Sequence, residues 1–323
     1  MVHLFLFKTA ALVSSTLLAS VRATDVGQGG VITLTHLSGS NLKVDTYGAN
    51  IFSFCPSYDP LGDVLVVSRE TVHDGIKPIS GGITVVFPNL EASKDHPIPE
   101  LGFARVSRWT VEYVKLANDE NTYSSALLRL ESSDATHQMW PFKFLLMYTV
   151  RLYSTSLETE LTVMTTGSGG MDFQALLNNH FYVNDVRENG VVISGLQNAE
   201  YLDRVTGMTQ NDTRESFGIM SRVDSIYNDV KNDVIATIKG NGFNKEVVIQ
   251  KTARYNDGRI STFAAKTDCV VSNPWNEDTK SDFSNEEYIH MVAIGAGGVS
   301  QNLGVFLGVS YTVNQVITVS KST

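Results

Sequence analysis

Two shortages narrow the possible functions of this chain: it has few cysteines and no excess of positive charge. Only Cys55 and Cys269 occur in 323 residues, and without suitable histidine or cysteine neighbours they indicate no structural zinc. The pair could form a disulfide or remain two buried thiols, and the sequence leaves both possibilities open. The formal net charge is −9, whereas a general nucleic-acid binder needs a basic surface. We therefore expect no nucleic-acid partner.

Several motifs that carry chemistry are also missing. The glycine pair Gly81-Gly82 lacks the Lys-Ser/Thr of a phosphate-binding loop, and no G-x-S-x-G nucleophile elbow occurs. The histidines outside the strand discussed below show no metal-ligand spacing: His36, His73, His96, His137 and His290. We therefore predict no metal and no cofactor. After the N-terminus, no run of about 18 apolar residues suggests a membrane span.

The first 23 residues, in contrast, form an apolar leader. "MVHLFLFKTAALVSSTLLASVRA" ends with Val21 and Ala23, which are small enough for the −3 and −1 positions of a signal-peptidase site. We predict a signal peptide over 1–23 and a mature domain over 24–323, with a frayed tail or an anchor helix as alternatives. The protein is then secreted or lies in the secretory-pathway lumen. In that setting Asn211, in "NDT", is an N-glycosylation acceptor.

Strand patterns dominate the mature region, which shows almost no helical periodicity. The run 42–54 is strand-like, and the run 142–166 is best divided into two strands at "STS". After that division Leu157 and Leu161 alternate with Glu158 and Glu160, the two-residue period of a half-buried strand. Many closely spaced strands, with no linker or repeat, predict an all-β fold. We expect one large β-sandwich domain and a monomer.

Seven short stretches, in order along the chain, resemble motifs of one family. They are "YGANIFSF" (47–54), "KPISGGITVVFP" (77–88), "IPELGFARVSRW" (98–109), "WPFKF" (140–144), "YLDRV" (201–205), "VVSNPW" (270–275) and "YIHMVAIGAG" (288–297). Each motif is short, but together they span most of the mature chain. The sequence resembles the galactose mutarotase-like superfamily, in particular its hexose-6-phosphate mutarotase (glucose-6-phosphate 1-epimerase-like) branch.

This resemblance implies a β-supersandwich with an open sugar-binding face. In the family, a glutamate and a histidine act on opposite sides of the anomeric carbon. One group removes the proton from the anomeric hydroxyl and the other protonates the ring oxygen, so that the ring opens and recloses as the other anomer. Glutamate suits the base role and histidine the acid role, since their pKa values can lie near neutrality.

The glutamate of that pair is missing from this chain. The family strand ends in "VEAG" or "IEPG", and the matching stretch "IGAG" places Gly295 at the glutamate position. Glu286 and Glu287 are the nearest acids, at ~25 Å or more along an extended chain, and we interpret them as a solvated turn. The base of the dyad is therefore absent.

The histidine position depends on the register chosen for "QALLNNHFYVND" (174–185). The hexose-phosphate branch reads "HTYFRVSD", which places Asn178 at the catalytic position. The aldose-epimerase branch reads "NHSYFN", which places His180 there. Residues two apart in a strand share a face but are ~6.6 Å apart, so only one of them can take the role. We favour Asn178 because the neighbouring motifs follow the first branch.

The remaining substrate-binding positions are only partly kept. Arg105 retains one of the two arginines that hold a sugar phosphate in the family, while Ser80 replaces the other. Glu100 would repel a phosphate but could accept hydrogen bonds from hydroxyl groups. Asp203 matches a substrate-contacting aspartate of the family, and Trp275 is a candidate surface for stacking against a sugar. These changes favour a neutral sugar or glycan ligand.

Three hypotheses follow from the sequence. The first is a secreted carbohydrate-binding protein with weak or no mutarotase activity. The second is an active hexose or hexose-6-phosphate 1-epimerase that uses His180 with a carboxylate such as Asp203, Glu100 or Asp185. The third is a secreted structural or interaction domain without a sugar site. We favour the first because the expected dyad is degenerate.

Overall fold

The computed structural model describes residues 27–240, 243–258, 261–276, 283 and 286–322. The leader predicted over 1–23 lies outside these residues. Within them, no helix combines the length and the apolar character that a membrane span requires. The described chain consists mainly of antiparallel strands.

Twenty strands occur within the described residues, with few short helices between them. The strands are β1 (Val31–Thr35), β2 (Asn41–Asp45), β3 (Asn50–Cys55), β4 (Ile83–Val86), β5 (Thr110–Lys115), β6 (Ser124–Glu131), β7 (Phe144–Leu152), β8 (Ser156–Thr165), β9 (Met171–Tyr182), β10 (Val191–Ser194), β11 (Glu200–Asp203), β12 (Met208–Asn211), β13 (Ser216–Gly218), β14 (Val223–Tyr227), β15 (Val234–Ile238), β16 (Asn244–Asn256), β17 (Thr262–Ala265), β18 (Asp268–Asn273), β19 (Met291–Val305) and β20 (Ser310–Ser322). The helices are α1 (Asp134–Met139) and the 3₁₀ turns Gln28–Gly30, Ala104–Val106, Val186–Glu188 and Glu287–His290.

The strands form two ten-stranded sheets. The first has the spatial order β1-β2-β3-β4-β9-β19-β18-β14-β11-β12, and the second has β13-β10-β15-β16-β20-β8-β7-β6-β5, with β17 paired to β16. Their strand pairs are antiparallel, as in β9 with β19 and β18 with β19. The predicted all-β sandwich is therefore confirmed.

The hydrophobic core lies between the sheets. Strands such as β7 and β8 alternate buried and partly exposed residues, and their buried residues belong to the core. In β8, Leu157, Leu161 and Val163 are fully buried, as the two-residue period predicted. A pair of buried amides also joins the sheets: Asn179 on β9 and Gln315 on β20 each donate to the other's side-chain oxygen, at 3.0 and 2.8 Å. The other face of the first sheet points away from the second sheet.

The run predicted as a strand over 42–54 is interrupted. A turn divides it into β2 and β3, and within it Gly48 and Ala49 have φ values of +76° and +48°. A side chain at Gly48 would have its Cβ 2.5 Å from the carbonyl oxygen of Arg105. Glycine is therefore required there, since the backbone is left-handed and a neighbouring segment passes close by.

Cys55 and Cys269 are both buried, unbonded thiols. They lie on β3 and β18, which are four strand positions apart in the first sheet, so at ~4.8 Å per position their backbones are ~19 Å apart. A disulfide requires Cα atoms about 6 Å apart. Of the two possibilities that the sequence left open, the structure has the free thiols.

Candidate functional site

A cleft of about 700 Å³ opens on the outer face of the first sheet. Strand β9 contributes Asn178 and His180 to its lining, and the segment after β4 contributes Glu100 and Arg105. This volume lies within the range of about 300–1,000 Å³ that is typical of small-molecule sites. Four of the residues singled out from the sequence therefore meet in one cavity.

Asn178 is almost completely buried at the base of this cleft. Its side chain points away from the sandwich core because Leu177 and Asn179, its neighbours on β9, point into it. Only 7% of Asn178 is exposed, and in the described structure its Oδ1 atom has no hydrogen-bond partner. A buried carbonyl oxygen without a donor costs about 1–3 kcal/mol. A hydroxyl or N–H group entering the cleft could supply that donor.

His180 lies two residues further along the same face of β9. Its Nδ1 atom is 3.1 Å from the carbonyl oxygen of Gly82, and its ring centroid is 5.4 Å from that of Phe283. Its backbone N–H donates to the same Gly82 oxygen at 2.9 Å. The ring is thus held against the wall of the cleft by both a polar and an aromatic neighbour.

Gly295 lies directly opposite Asn178 on the adjacent strand β19, whereas Ala293 lies opposite His180. A Cβ atom at Gly295 would be 3.1 Å from Oδ1 of Asn178 and 3.0 Å from Cδ2 of Leu176. Directly opposed residues in antiparallel strands share a face. A side chain at position 295 would therefore enter the cleft beside position 178, but glycine provides none.

Three arginines line the cleft, and of these only Arg105, which is 8% exposed, was predicted from the sequence. Arg204 is held by two carboxylates, at 3.1 Å from Asp224 and 3.2 Å from Glu91. Arg222 directly precedes β14, and Asp224 is the second residue of that strand; both line the cleft. Arg204 stands inside "YLDRV", directly after its aspartate, whereas no motif marks Arg222 or Asp224.

Asp203 and Ser80 do not line the cleft. The Asp203 carboxylate closes the turn after β11, where it accepts the N–H of Val205 at 2.9 Å and the hydroxyl of Thr206 at 2.8 Å. The backbone of Ser80 bonds to Ser68, whose N–H donates to the Ser80 carbonyl at 2.9 Å. Both residues have local structural roles in the described chain.

Trp275 and Asp185 are also not among the residues that line the cleft, although Pro274 is. Trp275 has a φ of +52° and its ring packs 5.3 Å from that of Tyr288. The Asp185 carboxylate binds Arg187 at 2.6 Å, and hydrogen bonds from that guanidinium and backbone lower its pKa to about 2. Asp185 is therefore ionised at neutral pH and committed to an ion pair.

Glu287 differs from the solvated turn that the sequence suggested. It is 8% exposed and its carboxylate accepts the Ser68 hydroxyl at 2.8 Å and the Arg69 N–H at 2.6 Å. It is not among the residues that line the cleft. The described residues also contain no group of three or more His, Cys, Asp or Glu placed to hold a metal ion.

Comparison with known proteins supports the resemblance seen in the motifs. The family model "Aldose 1-epimerase" matches residues 30–318. A "Putative glucose-6-phosphate 1-epimerase" of Salmonella typhimurium is 28% identical over 179 residues, and one of Escherichia coli is 27% identical over 182. These alignments cover 53% and 56% of this chain but only 55% and 57% of the relatives, so the chain matches little more than half the length of either.

Solved structures share the fold. A "putative mutarotase (YeaD)" from Salmonella typhimurium superposes with a TM-score of 0.73 at 20% identity, covering 90% of each chain. A galactose mutarotase related enzyme from Lactobacillus acidophilus gives 0.66 at 14% identity, covering 91% of this chain and 97% of the other. Since identity is this low, the likeness establishes the architecture alone.

Proposed function

The chain belongs to the aldose 1-epimerase family, and from that premise we propose that its cleft binds a carbohydrate but exchanges anomers weakly or not at all. Mutarotation needs one group that accepts a proton and another that donates one. An amide at position 178 and a glycine at position 295 do neither at neutral pH. Loss of a general acid or base typically removes about 10²–10⁴ of rate.

The observation that carries the binding proposal is the buried oxygen of Asn178. A carbonyl oxygen held in a cleft without a donor favours a ligand rich in hydroxyl groups, because each hydroxyl can donate one hydrogen bond. Glu100, exposed on the cleft wall, can accept further hydroxyls. The charges of the wall are mixed, since Arg204 is paired with Asp224. We therefore propose a neutral sugar rather than a sugar phosphate.

Sugar titrations with a matched pair of variants test this proposal. Asn178→Leu removes the acceptor at similar size, and Asn178→Asp keeps an oxygen at the same place. We expect calorimetry to show binding of glucose or galactose that is lost in the leucine variant and retained in the aspartate variant. Tighter binding of glucose-6-phosphate than of both neutral sugars would overturn the choice of ligand, and equal binding by both variants would overturn the role of Asn178.

An active epimerase that uses His180 is the second candidate function, and one observation favours it. His180 does line the cleft, and so do the carboxylates of Glu100 and Asp224. Asp203 and Asp185 bind other groups, so Glu100 is the partner that remains among those proposed from the sequence. The position of Gly295 opposite Asn178 rather than His180 favours the first candidate.

We also propose that the protein enters the secretory pathway. The support is the leader with Val21 and Ala23, and the acceptor Asn211, which is exposed at the end of β12. N-terminal sequencing of protein recovered from the medium should begin at Thr24, and an N-glycosidase should lower its mass. Retention in the cytosol with an intact leader would contradict this assignment.

A further inference from the structure

A second cavity of about 440 Å³ lies beside the cleft on the same face of the first sheet. Leu90 lines both cavities. The polar lining of the second cavity consists mostly of uncharged amides and hydroxyls: Gln174, Thr209, Asn228, Ser300 and Gln301. Such groups can both donate and accept hydrogen bonds, as sugar hydroxyls do.

The same strands form the bases of both cavities. On β9, Asn178 lines the cleft and Gln174 the second cavity; on β14, Asp224 lines the cleft and Asn228, just past its end, the second cavity. The two residues of each pair are four positions apart in sequence, so they lie on the same face of the sheet. At about 3.3 Å per residue they are ~13 Å apart along the strand. The two strands run antiparallel, so both pairs point from the cleft towards the second cavity. The cavities are therefore neighbouring parts of one continuous surface.

A bulge in β19 builds the wall of the second cavity. The register of β19 with β9 shifts between Gly298 and Leu303. The buried carboxylate of Asp268 holds this segment, accepting the N–H groups of Val299 at 2.7 Å and Ser300 at 2.6 Å. The Ser300 hydroxyl in turn donates to Oδ1 of Asn228 at 3.2 Å. Hydrogen bonds to Asp268 and Asn228 thus hold this wall of the cavity in place.

Gln174 fixes the opposite side of the cavity. Its Oε1 accepts the N–H of Leu90 at 2.9 Å, and its Nε2 donates to the carbonyl of Val299 at 2.8 Å. One cluster of buried apolar side chains reaches both cavities and gives each an apolar floor: Leu176 and Val270 line the cleft, Ile226 and Val299 line the second cavity, and Leu90 lines both. An apolar floor with an amide and hydroxyl rim suits pyranose rings, which carry C–H faces and peripheral hydroxyls.

We propose that the second cavity binds a further residue of a neutral, linear oligosaccharide whose end occupies the cleft. This inference rests on the proposed function and extends it from a monosaccharide to a short glycan. Glu91 and Glu200 also line the second cavity, and their carboxylates disfavour an anionic glycan there. Glu91 is paired with Arg204 of the cleft at 3.2 Å, so this ion pair forms part of the rim that the glycan crosses.

A glycan array followed by calorimetry tests the inference on the mature protein. The array carries mono- to hexasaccharides of glucose, galactose, mannose and N-acetylglucosamine, and calorimetry compares the best oligosaccharide with its own monosaccharide. Gln301→Trp fills the second cavity from an exposed position. Asn302→Trp is the matched control, because Asn302 is the adjacent exposed amide and does not line the cavity.

We expect the oligosaccharide to bind at least about tenfold more tightly than the monosaccharide, a difference that corresponds to 1.4 kcal/mol. Gln301→Trp should remove this advantage and leave monosaccharide affinity unchanged, whereas Asn302→Trp should change neither. Equal affinities for the two sugars, or an advantage that survives Gln301→Trp, would overturn the second subsite while leaving sugar binding intact. An array without any bound saccharide would overturn both the subsite and the proposed function.

Discussion

The double substitution of Asn178→His and Gly295→Glu should create mutarotase activity in the cleft. The two positions are directly opposed on β9 and β19, and directly opposed Cβ atoms are about 4.5–5.5 Å apart. Both side chains would then point into the cleft, beside the same bound sugar. Because each group contributes about 10²–10⁴ of rate, we expect the double variant to exchange anomers at least ~10²-fold faster than the natural chain.

The substitution should also have a stability cost that the structure makes explicit. A Cβ atom at Gly295 would be 3.0 Å from Cδ2 of Leu176, so the leucine must move by a few tenths of an ångström. Overpacking of this kind typically costs about 1–3 kcal/mol. Urea unfolding of Gly295→Glu should show a loss of that size, and a larger loss would mean that the cleft had rearranged.

Anomer exchange by NMR on glucose and galactose is the assay for the gain of activity. The matched control is Asn178→His with Gly295→Gln, which keeps size and polarity but cannot accept the proton. Because this control lacks only the general base, we expect it to be about 10²–10⁴-fold slower than the double variant. A folded double variant that is no faster than this control would refute the assignment of positions 178 and 295 as the dyad.

Three further predictions concern individual side chains. His180→Ala should leave the anomer exchange rate measured by NMR unchanged, and a rate that falls on this substitution would favour the epimerase alternative. Burial raises the pKa of the Asp212 carboxyl, but hydrogen bonds from Arg214 and Tyr227, together with the charge of Arg214, outweigh burial and leave the pKa lowered. The stability contributed by Asp212 is therefore present above the ordinary carboxyl pKa of about 3.9 and is lost as pH falls below it. Asp212→Asn should cost about 1–3 kcal/mol at pH 7 and less near pH 3 in urea unfolding, and a cost independent of pH would contradict this. Burial raises the pKa of the Cys269 thiol to about 12 and also raises the pKa of Cys55, so both thiols should be unreactive in the folded protein. Alkylation without reductant should therefore add no label to the folded protein and two labels to the unfolded protein. Protection of the cysteines in the unfolded chain would indicate a disulfide.

The fold could be predicted from the sequence because its signals are local. The alternation of Leu157 and Leu161 with Glu158 and Glu160 belongs to a single strand and does not depend on distant residues. The turn within 42–54 was missed, since strand-like residues flank Gly48 and the close approach of Arg105 comes from 57 residues further along. The period of apolar residues along a strand does not indicate such contacts between distant segments.

The site could be predicted only in part. Motifs led to Asn178, His180 and Gly295, but which of the first two faces position 295 depends on the register of strands more than 100 residues apart in sequence. Asp224 was missed because it lies outside every motif. It lines the cleft only because the order of strands in the first sheet places β14 near β9 and β19. Asp203 ends β11, where its carboxylate closes the next turn, and its role in substrate binding stays a prediction.

The second cavity could not be predicted at all. It depends on the bulge of β19, which follows from two hydrogen bonds between Asp268 and the backbone of Val299 and Ser300. Neither the glycine-rich stretch 295–298 nor the polar "SQN" after it indicates a bulge by itself. A bulge inserts residues into one strand of a pair, and only the paired structure reveals it.

The central claim is that the cleft binds a sugar without a functional acid–base dyad. Two-dimensional exchange NMR on glucose, galactose and glucose-6-phosphate, each with the purified mature protein, tests both halves of it. We predict broadening of sugar resonances upon binding, with exchange between α and β anomers close to the rate in buffer alone. Exchange peaks that grow strongly with protein concentration for any of these sugars would contradict the account.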